Sequence, residues 1–495
     1  MIAPQSNPSD AEPRFDRALG PVEGTSIVIG TVIGSGIFIT PAKIAASAGQ
    51  FGFGTILLVW IVCGILSLSG ALAYAELAAM FPRSGGQYVY LREAYGDLWA
   101  FLYGWMEFWV ARAGSIAALA VAFALYASDF RRGLLGLGPG EVESGDWGIR
   151  WTAFLAVFVL TGINYLGVRL GGVVQVLFTG TKILALVGLV ACAFGLPGGS
   201  SQNWLPLWTD GGMQNGLDWG IVLSACGAAM ISSLWAYDGW ANGAVVAEEM
   251  KDPQRNVPRS LIIGTLTLTV IYILANLAYH YLMPMSQVAG SQKVIVTAAS
   301  KLFGDGRVAL ALAAGVVMIS TFGAANGTLL TGPRIFHAMA RDRLFFHQMA
   351  FLHPRFRTPY WSILFQGLWA CLLILVPFNE FINPLLGWEK DLALFDQLIT
   401  FVIFASWVFY GTSVAAVMVL RRRRPDLPRP YRAWGYPVLP FLFVLTSIGF
   451  VANTIRTQPK EALAGVLIVL FGIPAFFWWK SRNPAEPVDR PHPDA

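Results

Sequence analysis

Two stretches of this sequence carry the residue types that can hold a small charged solute. They are Gly30-Thr31-Val32-Ile33-Gly34-Ser35-Gly36-Ile37-Phe38 and Trp235-Ala236-Tyr237-Asp238-Gly239-Trp240-Ala241-Asn242-Gly243. In the first, Gly30, Gly34 and Gly36 each weaken a helix by roughly 1 kcal/mol relative to Ala, so Gly34-Ser35-Gly36 is the natural point of unwinding. A half-helix starting there presents unpaired N–H groups and a positive dipole end. The amides of Ser35, Gly36 and Ile37 therefore suit a carboxylate. Carbonyls freed at Ile33, and at Trp235 and Ala236 in the second stretch, suit an ammonium. Recognition of both charges by backbone leaves the rest of the solute to be selected by its surroundings. In the second stretch Asp238, Gly239, Asn242 and Gly243 fall midway along an apolar run, and an ionisable residue at that depth is costly enough to read as functional. A dinucleotide-binding loop is excluded: Gly34-Ser35-Gly36 lacks the third glycine of GxGxxG and has no βαβ context.

The elements that position these residues are membrane helices. The 495 residues have a mean hydropathy of +0.57 and only 13% are charged, against about 25% in a soluble domain. In water such a chain would expose a very large apolar surface. A span needs about 20 mostly apolar residues, and twelve runs qualify: 24–47, 55–80, 95–128, 150–166, 172–196, 219–248, 259–284, 306–337, 360–378, 391–420, 434–455 and 461–480. Each must be a helix, because backbone groups in lipid need partners within their own segment. Lys and Arg concentrate in the connections on the N-terminal side, including Arg421 to Arg424, which places both termini in the cytoplasm. That arginine run reads as a stop in contact with anionic lipid.

The net charge of +5 is scattered between apolar runs, so no nucleic-acid patch is present. Cys63, Cys192, Cys226 and Cys371 lie in apolar stretches without metal-type spacing and read as small core residues. The five histidines form no ligand cluster. No metal or cofactor is implied. The first residues, with Asp, Glu and Pro, do not read as a signal peptide, and the tails 1–20 and 481–495 read as disordered.

The two glycine-rich stretches fall in spans one and six. Gly30 and Gly34 also have the GxxxG spacing of close helix packing, the competing account of these glycines. A second interruption at the matching place favours a central binding site, since paired broken helices point to one in transporters. Residues 24–196 and 219–420 then form two inverted five-helix repeats, with helices 11 and 12 (434–480) appended and tails at 1–23 and 481–495. The fold class is all-α integral membrane, with a LeuT-like inverted 5+5 repeat and discontinuous helices 1 and 6.

The residues also resemble the amino acid–polyamine–organocation superfamily, near its L-type amino acid transporter branch. The resemblance rests on Gly34-Ser35-Gly36-Ile37-Phe38, Tyr74-Ala75-Glu76-Leu77, Phe81-Pro82-Arg83-Ser84-Gly85-Gly86, the second stretch, and Glu248-Glu249-Met250-Lys251-Asp252-Pro253. It continues through Ala325-Asn326-Gly327, Gly332-Pro333-Arg334 and Arg429-Pro430-Tyr431-Arg432, in order along nearly the whole chain. It implies alternating access around a midplane site in which Ile33, Gly34, Ser35, Gly36 and Ile37 hold the substrate's α-groups with Trp235, Ala236 and Asp238, beside Gly239. It makes Trp235 an aromatic gate. It also implies that Lys182, inside span five, stands where sodium-coupled relatives hold an ion, with Ser320 and Thr321 as hydroxyl neighbours. Relatives that join a heavy subunit use a cysteine between spans three and four. Residues 129–149 contain none, so no disulfide-linked heavy subunit is expected.

The function expected is sodium-independent secondary transport of amino acids, neutral L-amino acids first, by exchange or proton coupling. The rival within transport is a cationic amino acid or polyamine carrier with Asp238 as counter-charge. A capping or hydrogen-bonding role for Asp238 is preferred. A membrane enzyme would need clustered His and carboxylates, which are absent; a non-transporting amino acid sensor is the third alternative. Glu76, Glu107, Arg112 and Asp396 read as paired buried charges or cavity-lining groups, and Glu249 with Arg255 as a solvated loop pair rather than a gate.

Overall fold

The computed structural model describes residues 14–137, 146–211, 218–304, 306–376, 394–457 and 459–482, without side chains for 394–403, where Asp396 lies. The parts of the tails expected to be disordered, 1–13 and 483–495, fall outside these residues, as do 138–145 of the connection between spans three and four.

Every regular element among the described residues is helical. The chain begins with α1 (Pro21–Val32), α2 (Gly36–Ala48), α3 (Phe53–Met80) and α4 (Gln87–Tyr95). The next helices are α5 (Asp97–Leu134), α6 (Trp147–Tyr165) and α7 (Val168–Gly195). Then come α8 (Trp219–Ala236), α9 (Asn242–Val245), α10 (Pro253–Leu282), α11 (Met285–Ala289), α12 (Val294–Phe303) and α13 (Gly306–Arg341). The series ends with α14 (Tyr360–Leu375), α15 (Leu394–Arg423), α16 (Val438–Thr457) and α17 (Pro459–Arg482). Among the described residues ten helices are long and apolar enough to cross a bilayer, eleven if α1 and α2 form one bent span; α14 is apolar but shorter. The protein is thus a multi-pass membrane protein.

Local chemistry explains where these helices begin and bend. Pro21 occupies the first turn of α1, where a missing N–H costs nothing, and Glu23 Oε2 accepts from the Gly20 amide at 2.8 Å. Between α1 and α2 the axis turns by 44° over Ile33, Gly34 and Ser35. The chain cannot resume as helix after Ala236 until Gly239 has passed through φ +107°, a conformation that favours glycine. Inside α5, residues Glu107–Arg112 widen to π-helix, a local over-turn not foreseen from the sequence and frequent at functional sites.

At 36 residues, α13 is about 54 Å long, well beyond the ~30 Å of a hydrocarbon core. It is the central strut. α5 packs along it, α1 lies against α7, α10 and α13, and α2 lies against α8. The two interrupted elements therefore meet in the interior, ringed by α3, α7, α10 and α13.

Candidate functional site

Breaking α1 leaves carbonyls in a buried place where each needs a donor. The fold supplies three. Lys182 Nζ, on α7, donates to the carbonyls of Gly30 at 2.8 Å and Ile33 at 2.7 Å. Ser320 Oγ, on α13, reaches the carbonyls of Ile33 at 3.0 Å and Gly34 at 2.8 Å. Tyr272 OH, on α10, bridges both interruptions, donating toward the carbonyls of Val32 at 3.3 Å and Ala236 at 3.1 Å. Lys182, Ser320 and Tyr272 are all essentially inaccessible. Thr321 stands apart from this group, since its hydroxyl donates to Val317 and Met318 in its own helix.

On the other side of the break, the amides of Ser35, Gly36 and Ile37 donate to no acceptor among the described residues. They form the positive start of α2. Gly36 is needed there by contact: a Cβ would lie 2.9 Å from Ala236 Cα. Thr31 Oγ1 reaches across to the Gly239 carbonyl at 3.2 Å, tying the two interruptions together. At the second one, Asp238 Oδ1 accepts from Tyr410 OH at 2.9 Å.

A cavity of about 120 Å³ opens between these parts, several times the roughly 10–15 Å³ that one water requires. Gly34, Ser35, Gly36, Trp235, Ala236, Asp238 and Gly239 line it. Ile33 and Ile37, expected beside them, are fully buried away from it, so only their backbone can serve. The three carbonyls expected to face an ammonium are all engaged within the protein. Ile33 faces Lys182 and Ser320, Ala236 faces Tyr272, and Trp235 accepts from the Asp238 amide at 3.1 Å. The physical reason is that a carbonyl freed from a helix inside a membrane takes the nearest donor.

Glu107 and Arg112, read from the sequence as paired buried charges or cavity-lining groups, form an ion pair on the cavity wall. Arg112 also donates to Asn242 Oδ1 at 2.6 Å and Thr331 Oγ1 at 3.2 Å. Tyr410 was missed altogether. Its only sequence signal is an aromatic hydroxyl within an apolar run, too common to single out. Tyr272 was missed for the same reason.

Elsewhere, two expectations about charge are corrected. Glu249 pairs with Arg334 on α13 rather than Arg255, at 2.6 Å and 3.0 Å, with both side chains 1% exposed; Arg255 is exposed. Arg421 turns inward to Glu76, at 2.8 Å and 2.6 Å, so the first residue of the arginine run is not free for lipid. Among the described residues no three His, Cys, Asp or Glu are grouped to hold a metal. The four cysteines are free thiols, Cys63 and Cys371 buried.

Comparison with known proteins decides the family. The family described as "Amino acid permease" matches residues 19–477. This chain belongs to it. The human "b(0,+)-type amino acid transporter 1" is 32% identical over 470 residues, covering 94% of this chain and 88% of that protein. The "Serine/threonine exchanger SteT" of Bacillus subtilis (strain 168) is 32% identical over 470 residues, covering 94% and 98%. The mouse "Large neutral amino acids transporter small subunit 2" is 32% identical over 470 residues, covering 94% and 82%. The protein is accordingly a membrane carrier of the amino acid–polyamine–organocation superfamily, not an enzyme. The mouse relative is named a small subunit, so likeness to it gives no support to the expectation that no disulfide-linked heavy subunit joins this chain.

Proposed function

We propose that this permease is a sodium-independent exchanger of amino acids that takes neutral L-amino acids, and that the cavity between the two helix breaks is its binding site. The carrying observation is polarity. Three helix ends converge there, the negative ends of α1 and α8 and the positive start of α2. A zwitterion fits this arrangement: its carboxylate lies on the amides of Ser35, Gly36 and Ile37, and its ammonium lies toward the ends of α1 and α8, with Asp238 on the wall beside its variable part. Trp235 is the gate. Lys182 is a fixed cation that holds Gly30 and Ile33 by its ammonium, where an ion-coupled carrier would need a bound sodium. Ser320 shares that duty and Thr321 stiffens α13 nearby.

Counting α14 as the ninth span gives twelve. Residues 24–196 and 219–420 are the inverted repeats that rock about the site, with 434–480 appended and 1–23 and 481–495 as tails. Both termini are cytoplasmic and the membrane is the cell membrane, as the loop arginines favour. With no cysteine in 129–149, no disulfide to a second chain forms there. The named activities of the relatives, amino acid transport and serine/threonine exchange, agree with this reading.

Counterflow in proteoliposomes tests it. Vesicles loaded with unlabelled serine or alanine should accumulate the labelled amino acid equally in sodium and in choline buffer. Accumulation that needs sodium, or binding without accumulation, contradicts the proposal. The second reading, a cationic amino acid or polyamine substrate, is favoured by Asp238 and Glu107 on the wall; it predicts that lysine or putrescine outcompetes alanine in the same vesicles.

A further inference from the structure

Polar side-chain atoms buried without a hydrogen-bond partner are few in native proteins, and each one asks what satisfies it. Five of those in this permease fall in one region: Tyr74 OH on α3, Ser84 Oγ in the following turn, Gln87 Nε2 and Tyr90 OH on α4, and Ser413 Oγ on α15. α15 packs against both α3 and α4, so all three elements share a seam. Gln87 and Tyr90, three residues apart, lie on one face of α4. The Tyr74 and Tyr90 rings meet edge to face at 5.8 Å. Ser413 and the Tyr74 hydroxyl are close enough to interact, yet neither makes a hydrogen bond of proper geometry.

The seam leads to the cavity. The Tyr74 ring also contacts Tyr410, at 6.5 Å, and Tyr410 holds Asp238. The Tyr74 hydroxyl lies within electrostatic reach of Glu107 and Tyr103 on α5. At its far end the seam reaches the turn after α3, where Gly85 N–H donates to the Val245 carbonyl at 3.2 Å and the Ser84 amide to Glu248 at 3.1 Å. A dry seam would leave five strong hydrogen-bonding groups unsatisfied in one place, each at a cost comparable to a lost hydrogen bond. Buried water is the common remedy where polar groups cluster.

We propose that α3, α4 and α15 enclose a site for a short chain of bound waters. It runs from the Tyr74–Ser413 pair beside the cavity to Gln87 and Ser84 at the end of the bundle. This solvent connection passes through neither helix break. It gives Glu107 and Asp238 a contact with water that is separate from the substrate's own route.

The test uses the full-length protein in nanodiscs. A brief X-ray pulse splits bound water into hydroxyl radicals that oxidise adjacent side chains, read by mass spectrometry. Tyr74 and Tyr90 should be oxidised several-fold faster than Tyr272, which is equally buried but bonded to protein carbonyls. The second arm is thermal unfolding of Tyr90→Phe and Ser413→Ala. Deleting a hydroxyl that bonds water lowers Tm; deleting one that is buried dry and unpaired raises it. Equal oxidation of the three tyrosines, or a raised Tm in both variants, overturns the proposal. Faster oxidation together with lowered Tm establishes it.

Discussion

The two helix interruptions are built in opposite ways. At the first, side chains from three other helices close on the backbone. Lys182, Ser320 and Tyr272 take up the carbonyls of Gly30, Val32, Ile33 and Gly34, and leave only the amides of the next half-helix unengaged. At the second, the break turns its own side chains outward: Trp235 and Asp238 line the cavity and Asp238 is held by Tyr410. On the proposed reading the difference separates two tasks: the backbone of the first break, braced by the surrounding helices, would read a substrate's common α-groups, and the side chains of the second would read its variable part.

The sharpest way to break this comparison is at Lys182. Lys182→Ala removes two hydrogen bonds, leaving the buried Gly30 carbonyl without its donor and the Ile33 carbonyl with Ser320 alone, a loss of about 3 kcal/mol. Exchange in proteoliposomes should fall about 100-fold if that energy holds the transport-competent geometry. A fall of less than about threefold would mean the first break does not depend on its braces. Next in size is Gly36→Ala. The new methyl would sit 2.9 Å from Ala236 Cα and 3.1 Å from its Cβ, forcing the two breaks apart at about 1–3 kcal/mol. Exchange should drop about tenfold, with a matching rise in the substrate concentration needed for half-maximal rate. An unchanged half-maximal concentration would show that the α1–α8 approach is packing alone.

How much of this was legible beforehand follows the same division. Gly34-Ser35-Gly36 announces itself because glycine is costly in a helix and clusters where the backbone must come free. Lys182 announces itself because an ammonium inside a span is expensive. Both signals are local. What the sequence does not display is which carbonyl each donor meets. The Ile33 and Ala236 carbonyls, expected to face an ammonium, also accept from Lys182, Ser320 and Tyr272, which come from α7, α13 and α10, between 36 and 287 residues away. Tyr272 and Tyr410 are tyrosines in apolar helices, a pattern shared by many residues that only pack. The Glu249–Arg334 pair was likewise hidden. Arg255 is nearer in sequence, but burial selects the partner that the α13 strut carries into the interior. Pairings across the bundle are set by packing, and no run of sequence contains them.

Tyr272 tests whether the two breaks act as one unit. Its single hydroxyl bridges them, so Tyr272→Phe removes a bond worth about 1 kcal/mol without changing shape. Exchange should slow about fivefold. The Tyr272→Phe/Lys182→Ala double variant should lose less than the product of the single losses, because both residues hold the same short segment. Strict multiplication of the two effects would separate the braces.

The smallest expected effect is the one that most sharpens the comparison. Asp238→Asn keeps an oxygen that can accept from Tyr410 OH and nearly the same volume; only the charge goes. If the second break selects the variable part of the substrate while the first holds the α-groups, neutral amino acid exchange should change by less than about twofold, because the ends of α1, α2 and α8 still provide the fixed dipoles. Inhibition of that exchange by lysine, measured in the same vesicles, should weaken by more, since a cationic side chain loses its counter-charge while Glu107 remains bound to Arg112. A large loss of neutral exchange would instead place the substrate's ammonium directly on Asp238, and the second break would share the backbone's task rather than leave it to the first.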